Sequence, residues 1–243
     1  MVVCGWEVTI GKEESVEILE AIQTRRSIRA FRPDPVRREV LEELLDVCRW
    51  APSARNAQPW HFAVLGGTVL DEVKARLNEK VRTSWDGKSF TDRAPDIPRT
   101  APYPDCLLPR MEALRRMVTE FMLPPGTESN EEIRAEYRAR SQRFHDAPNA
   151  IVIYCDDPSV TVMGSVGIIT QTICLAALSF GLGTCIMGGA VMWPDIYRDL
   201  LGIPEGKPLP ASIGIGYPDD MAPINTFERV REPLETLAEW HGL

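Results

Sequence analysis

Apolar residues recur at helical spacing near the start of the chain. Val16, Ile18, Leu19 and Ile22 follow Ser15, a residue type that commonly begins helices. The spacing predicts a first helix that ends close to the arginines at positions 25 and 26. Cations at a helix C-terminus complement the helix dipole, which is the simplest role for that pair.

Three further elements are predicted before residue 84. Val40–Cys48 carries an apolar stripe and predicts a helix that stops near Pro52. His61–Leu65 has the length and composition of a strand, closed by a pair of glycines. Thr68 with Asp71 then resembles a capping box, which predicts the start of a third helix.

The pattern changes between about residues 83 and 148. This stretch is rich in proline, arginine and acidic residues, and its apolar periodicity is patchy. Short helices are expected around residues 111–121 and 131–144. We interpret the stretch as an excursion from a single domain spanning residues 1–243, and not as a second domain.

The last third of the chain alternates between strands and helices. Strands are predicted at residues 150–155, 184–187 and 209–217, with helices at 162–180 and from Pro194 onward. No Asp, Glu, Lys or Arg occurs between Pro158 and Pro194, a composition that fits either a membrane span or a buried core helix. Its glycines and polar residues favour a buried core helix. The tail, 219–243, has no clear core of its own.

Charge and cysteine usage narrow the class of protein. The 27 Lys and Arg residues against 35 Asp and Glu give a net charge of -8, which disfavours a nucleic-acid partner. The six cysteines and three histidines are too dispersed for a zinc site or a disulfide framework. The first residues show no secretory pattern, and a cytoplasmic protein with no metal is expected.

One short segment departs from the acidic balance. Six arginines fall within residues 25–38, opposed there only by Asp34. Such a cluster is either a solvated face or an anion site. In RRSIR, at 25–29, guanidinium groups and a hydroxyl could bind a phosphate or a carboxylate.

Two other motifs bear on cofactor binding. PSARNAQPWHF, at 52–62, contains Asn and Gln side-chain amides that could bind the edge of a heterocycle. The alternative is that the segment is only a polar turn anchored by a buried Trp. GLGTCI, at 181–186, is not a dinucleotide fingerprint, because it follows a helix and ends in Ile186 instead of glycine.

The order RRSIRAF, PSARNAQPW, GLGTC, IGYP and RVREPL resembles the FMN-dependent nitroreductase superfamily over nearly the whole chain. The ending APINTFERVREPLETLAEWHG is most similar to the branch that reduces nitrobenzoates and dinitroaniline-type nitroaromatics. The resemblance implies an α+β fold, a three-layer α-β-α sandwich with a small, mostly antiparallel sheet. It also implies a domain-swapped homodimer, with the charge-free helix at its centre and with the tail wrapping the other subunit.

The resemblance also implies roles for individual residues. The arginines and the serine of RRSIR would hold the FMN phosphate and ribityl chain, with Arg231 closing the phosphate site from the tail. Pro52 and Ser53 would approach the isoalloxazine from the partner subunit. The expected cofactor-binding residues are Arg25, Arg26, Ser27, Arg29, Pro52, Ser53, Asn56, Gln58, Gly188, Gly189 and Arg231.

Within that set, Asn56 would bond ring or ribityl oxygens, and Gln58 would support its loop. The backbone amides of Gly188 and Gly189 would face flavin N5 and O4. No catalytic side chain is expected, since flavin N5 carries the hydride.

The activity implied is NAD(P)H-dependent reduction of nitroaromatic or similar electron-poor compounds by a ping-pong cycle. Alternatives on the same fold are a reductive dehalogenase, an enoate or quinone reductase, a flavin-fragmenting enzyme and a non-catalytic flavin-binding protein. An anion-binding or nucleic-acid-binding module is a further alternative. The motifs leave the choice between NADH and NADPH open, and the excursion, which could cover the substrate site, says little about the acceptor.

Overall fold

The computed structural model describes residues 17–87, 89–98, 103–122, 126 and 130–243. Its helices are α1 Ile18–Thr24, α2 Arg38–Cys48, α3 Gly67–Ser84, α4 Leu108–Met122, α5 Glu131–Arg140, α6 Val160–Ala176 and α7 Pro194–Leu201. Its strands are β1 Trp60–Gly66, β2 Asn149–Cys155, β3 Gly183–Ile186 and β4 Ala211–Gly216.

The four strands form one antiparallel sheet in the order β1-β2-β4-β3. β2 lies at the centre and is rich in Ile and Val, which suit a strand buried on both faces. β1 and β3 are the two edges of the sheet. The edge position of β3 leaves one side of that strand available to another segment of the chain.

Side chains of successive β2 residues enter two separate cores. Ile151 and Ile153 pack with residues of α2 and α6, whereas Ala150 and Val152 pack with residues of α3 and α7. This alternation is the period-2 geometry of a strand. The sheet is therefore the middle of three layers, which confirms the predicted α+β, α-β-α architecture.

Most predicted elements occur within a few residues of their expected bounds, but the capping box predicted to begin α3 was wrong. β1 continues through Gly66, which pairs with Asn149, and α3 begins directly at Gly67 with φ 53°. No loop remains for Thr68 to cap, so the predicted capping box does not form. Ser15 and Val16, predicted to begin the first helix, lie outside the described residues.

The charge-free helix has one buried face and one exposed face. Ile169 and Ile173 are fully buried against the sheet, whereas Val160 and Ile168 are exposed. Among the described residues, Val160–Phe180 alone is long and apolar enough to cross a membrane, an attribute that core helices share. Packing against β2 therefore makes this helix part of one outer layer, with its buried face in the core.

The excursion is tied to the core at one end and to the tail in its middle. Asp92 accepts a hydrogen bond from Trp193 Nε1 at 2.8 Å, and Asp96 pairs with Arg198 at 2.9 Å. On α4, Val118 packs with Ile224 and Phe227 of the tail. α4 thus packs against the tail near residues 224–227.

A short left-handed turn, Phe144–Asp146, joins α5 to β2. All three residues have positive φ, between 49° and 64°, and Phe144 is fully buried. Gly214 of β4 lies beneath this turn, where a Cβ would meet the Phe144 carbonyl oxygen at 2.9 Å. β4 therefore needs glycine at this position for the turn to pack on the sheet.

We predict that Gly214→Ala lowers the free energy of unfolding by about 1–3 kcal/mol, because the backbone carbonyl cannot move aside cheaply. Gly206→Ala is the matched control, since nothing lies within 4 Å of its added Cβ. Its effect should stay within about 0.5 kcal/mol. Urea denaturation of both variants measures the difference, and equal stabilities would contradict the proposed close contact.

Candidate functional site

The RRSIR segment is held against the free edge of β3. Ser27 forms a parallel bridge with Thr184, and the Ile28 amide donates to the Thr184 carbonyl at 2.9 Å. Ile28 is buried and packs on Gly183, where a Cβ would come within 2.6 Å of Ile28 Cγ1. Gly183 of the GLGTC motif thus lets the segment lie close to the sheet.

The arginines of this segment line a cavity of about 540 Å³, termed here the arginine cavity. α4 forms an apolar wall, and the tail supplies Arg229 and Arg231. The one carboxylate in its described lining, Glu232, pairs with Arg110 at 2.9 Å. The cavity-lining cations are Arg25, Arg26, Arg29, Arg110, Arg229 and Arg231.

Two arginines join the RRSIR segment to the tail in opposite directions. Arg26 donates to the Phe227 carbonyl and lies over the Phe227 ring, 5.1 Å from its centroid. Arg229 donates to the carbonyls of Arg25 and Gln23 at the end of α1. Both arginines therefore bind backbone oxygen instead of a carboxylate.

The cluster is electrostatically unfavourable without an anion. Burial, followed by repulsion from Arg229 and Arg29, lowers the pKa of Arg26. Burial, followed by repulsion from Arg231 and Arg25, lowers the pKa of Arg229. A bound phosphate would relieve this repulsion and accept several charge-assisted hydrogen bonds.

A second cavity of about 460 Å³, the glycine cavity, adjoins the first and shares Ser27 and Arg29 with it. Gly188 and Gly189 lie in its wall, directly after β3. A Cβ on Gly189 would collide with the Gln142 side chain. A larger residue at position 189 would therefore displace the end of the Gln142 side chain.

Two side chains in the wall of the glycine cavity each carry a buried polar atom that has no hydrogen-bond partner among the described residues. The two atoms are Gln142 Oε1 and His145 Nδ1. The orientation of the Gln142 side-chain amide follows from its contact with Ser141. The Ser141 hydroxyl donates to the Arg138 carbonyl, so it accepts from Gln142 Nε2 at 3.1 Å. Gln142 Oε1 is therefore a buried acceptor that lies against Gly189 in the cavity wall.

His145 is 4% exposed and is held neutral. Burial, followed by the nearby cations Arg29 and Arg140, lowers the pKa of His145 to about 3. Asp146, the next residue of the left-handed turn, is held by an ion pair with Arg143 at 2.6 Å. Strained backbone of this kind commonly occurs at ligand sites, where the surrounding structure holds it in place.

The PSARNAQPW loop forms a separate, exposed structure. Ser53 Oγ accepts from the Gln58 amide at 2.9 Å, and Gln58 Nε2 donates to Asn56 Oδ1 at 3.2 Å. Asn56 and Gln58 both have positive φ, 56° and 46°. The Ala54 amide contacts Ser165 Oγ of α6 at 3.3 Å, so the loop lies on the charge-free helix.

The structure thus brings together some of the predicted residues and leaves others apart. Neither cavity is lined by Pro52, Ser53, Asn56 or Gln58. Of the predicted residues, those around the two joined cavities are Arg25, Arg26, Ser27, Arg29, Gly188, Gly189 and Arg231.

Comparison with known proteins accords with this geometry. The model of the Nitroreductase family matches residues 22–217, which include all four strands and the glycine cavity, whereas the tail residues of the arginine cavity lie beyond the match. The chain belongs to the nitroreductase family.

Individual nitroreductases match across nearly the full chain. The nitroreductase NfnB of Mycolicibacterium smegmatis is 29% identical over 224 residues, covering 90% of this chain and 88% of the relative. A 4-nitrobenzoate reductase of Pseudomonas putida is 26% identical, covering 91% and 94%. The crystal structure of the FMN-dependent NfnB from Mycobacterium smegmatis in complex with NADPH superposes with a TM-score of 0.82 at 25% identity, covering 92% and 97%.

Sequence reasoning missed three residues of this nitroreductase site. Arg229 lies two positions before the expected Arg231 in RVREPL, so the motif itself carried a usable signal. Gln142 and His145 lie in the excursion, where apolar periodicity is weak. Only the turn that folds them onto the sheet reveals their position.

Proposed function

We propose that this nitroreductase family member is a soluble, cytoplasmic FMN oxidoreductase that passes electrons from NADPH or NADH to nitroaromatic or similar electron-poor compounds. The observation that carries the proposal is the pairing of a repulsive arginine cluster with an adjoining cavity whose wall holds buried polar atoms without a partner among the described residues. FMN has complementary chemistry at both ends, a dianionic phosphate and a ring edge with an N–H donor.

The residues of both cavities fit this cofactor. Arg25, Arg26, Arg229 and Arg231 would bind the phosphate, with Ser27 and Arg29 at the junction of the two cavities. When bound, FMN supplies hydride acceptance and donation, chemistry that no side chain here provides.

The glycine cavity would orient the ring. Gln142 and His145 line this cavity and would pair their buried polar atoms with polar groups of the ring edge, and the backbone amides of Gly188 and Gly189 would donate to ring acceptors. Because His145 is neutral, it adds no positive charge beside the ring. α4 residues close the same cavity and exclude water from it.

The two substrates would use the glycine cavity in turn, in a ping-pong cycle, because no separate nucleotide-binding domain is predicted in the sequence. The excursion at about 83–148 belongs to the same single domain. Its α4 forms a wall of both cavities and would cover the acceptor.

We also propose that the site is completed by a second copy of the chain in a domain-swapped homodimer. The PSARNAQPW loop is exposed and internally hydrogen-bonded, and it lies on α6, whose outer face carries no charge and exposes Val160 and Ile168. Leu234, Leu237 and Trp240 of the tail are also largely exposed. A partner that packs on these apolar surfaces would bring its Pro52, Ser53, Asn56 and Gln58 to the cofactor.

The oxidoreductase proposal predicts a flavin spectrum that bleaches when NADPH or NADH is added anaerobically, and that returns on addition of a nitroaromatic compound. Absorbance at the flavin band follows both half-reactions on one sample. Colour recovery with halogenated or quinone acceptors alone would identify a dehalogenase or a quinone reductase. A flavin that never bleaches would contradict the reductase function.

The dimer proposal predicts subunit complementation. Arg231→Ala and Asn56→Ala should each weaken FMN binding as homodimers. A heterodimer of the two variants, isolated with two affinity tags, should bind FMN tightly at one of its two sites, because that site combines the unchanged parts of both chains.

The Arg37→Ala and Asn56→Ala heterodimer is the control and should contain one weakened site and one tight site, since Arg37 is exposed and lines neither cavity. FMN titration followed by fluorescence counts the tight sites. No tight site in the Arg231 and Asn56 heterodimer would place all the binding residues within one chain.

A further inference from the structure

Three hydroxyl groups lie in the described lining of the glycine cavity, and two of them are already bonded within the protein. They belong to Ser27, Tyr137 and Ser141. Ser141 Oγ donates to the Arg138 carbonyl at 2.7 Å, and Ser27 is hydrogen-bonded to the thiol of Cys185. The Tyr137 hydroxyl makes no hydrogen bond with another described residue. It therefore remains able to donate to a molecule that enters the cavity.

Tyr137 is carried by a helix that is fastened to the core. The guanidinium carbon of Arg138, the next residue of α5, lies 4.5 Å from the centroid of the Trp85 ring at the end of α3. Just beyond α5, Arg143 Nη1 donates to Asn78 Oδ1 of α3 at 3.0 Å. A side chain on an element held in this way keeps its position in a site.

The two ends of the Tyr137 side chain have different surroundings. Its apolar part packs against the cluster that contains Val118 of α4 and Phe227 of the tail. The cations that act on its hydroxyl are Arg29 and Arg115, and both line the glycine cavity. The ring is thus anchored between α4 and the tail, and the hydroxyl end lies at the cavity.

Tyr137 is protonated at neutral pH. Burial raises the pKa of Tyr137 above its ordinary value of 10.0, and the positive charge of Arg29 offsets only part of that effect. No Asp or Glu occurs among the described residues that line the cavity, so no carboxylate of that lining competes for the phenolic hydrogen. Tyr137 thus supplies the cavity with a neutral hydrogen-bond donor.

Reduction of an electron-poor compound often places negative charge on oxygen. A nitro compound that takes up a hydride and a proton yields a nitroso compound and water. NADPH, which becomes NADP+, supplies the hydride, and water supplies the proton. A quinone takes up the same hydride and proton and becomes a hydroquinone. In both reactions the hydride brings negative charge to an oxygen atom, and a donor already in place stabilises that charge.

Resting on the oxidoreductase function proposed above, we propose that Tyr137 is a catalytic residue whose hydroxyl donates a hydrogen bond to the acceptor oxygen that gains negative charge. The effect applies to acceptors that are reduced at an oxygen-bearing group, such as nitro compounds and quinones. Ferricyanide takes up single electrons without such a bond, so its reduction does not depend on Tyr137. Tyr137 therefore sets the preference of the site among acceptors.

The experiment removes the hydroxyl and keeps the ring. Tyr137→Phe is compared with Tyr154→Phe, the matched control, because Tyr154 is a half-buried tyrosine of β2 that lines neither cavity. Each flavin-loaded protein is reduced anaerobically with one equivalent of NADPH and then mixed with nitrofurazone, menadione or ferricyanide in a stopped-flow instrument. Flavin absorbance gives the rate of reduction and the rate of reoxidation separately.

We expect Tyr137→Phe to slow reoxidation by nitrofurazone and by menadione about tenfold to a hundredfold, because a hydrogen bond to a developing charge is lost. Reoxidation by ferricyanide and flavin reduction by NADPH should stay within about twofold of wild type. Tyr154→Phe should retain all four rates. Unchanged rates with nitrofurazone and menadione, or an equal loss with ferricyanide, would overturn the role of Tyr137.

A spectroscopic measurement tests the same contact without turnover. para-Nitroaniline is bound to the oxidised, flavin-loaded protein in the absence of a donor, and its symmetric nitro stretch is recorded by infrared difference against the compound labelled with heavy nitrogen. A hydrogen bond lowers this frequency, so Tyr137→Phe should raise it and Tyr154→Phe should leave it unchanged.

The two measurements separate this inference from the function on which it rests. A frequency shift that depends on Tyr137, in a protein that reduces no acceptor, would retain the contact and contradict the oxidoreductase function. Reduction of nitrofurazone at the same rate by wild type and Tyr137→Phe, with the same nitro frequency in both, would retain the function and contradict the contact.

Discussion

The mutual repulsion of arginines held in one cavity is the constraint on which this site depends. Arg26 and Arg229 both have lowered pKa values, through burial first and then through their positive neighbours. Their hydrogen bonds go to backbone carbonyls of the opposite segment, so no described carboxylate neutralises either of them. Such an arrangement favours binding of an anion that can accept from several guanidinium groups at once.

The fold maintains this arrangement through the edge of its sheet. β3 is short and ends at the glycines of the second cavity, while the bridge from Ser27 to Thr184 places the RRSIR segment along its free side. The tail returns next to the RRSIR segment, where the hydrogen bonds of Arg26 and Arg229 hold it in place. In our proposal, the charge that binds the phosphate and the backbone that binds the ring therefore meet at one strand, and Gln142 and the neutral His145 line the second cavity from the excursion.

The core layers were predictable because each carries a strong local signal. Ile151 and Ile153 alternate with Ala150 and Val152, and α2 has a clear apolar stripe. The start of α3 was not predictable from Thr68 and Asp71, because strand pairing with Asn149 overrode the local capping signal.

The site residues divide in the same way into those with a local sequence signal and those positioned by contacts between distant parts of the chain. The motifs indicated the arginines and glycines, whereas Gln142 and His145 depend on three consecutive left-handed residues that no periodic pattern encodes. That turn is stabilised by packing over Gly214, a contact between residues far apart in sequence. The placement of Pro52, Ser53, Asn56 and Gln58 depends on a second chain in our proposal, so neither the motif nor one chain alone could bring them to the cavities.

The most direct test of this account is the affinity of the flavin-free protein for FMN relative to riboflavin, which has the same ring and ribityl chain but no phosphate. Titration followed by flavin fluorescence gives both dissociation constants in the same buffer. If the arginine cluster is a phosphate clamp, FMN should bind about a hundredfold more tightly than riboflavin, with a difference that shrinks as salt is added. Equal affinities for the two flavins would contradict it.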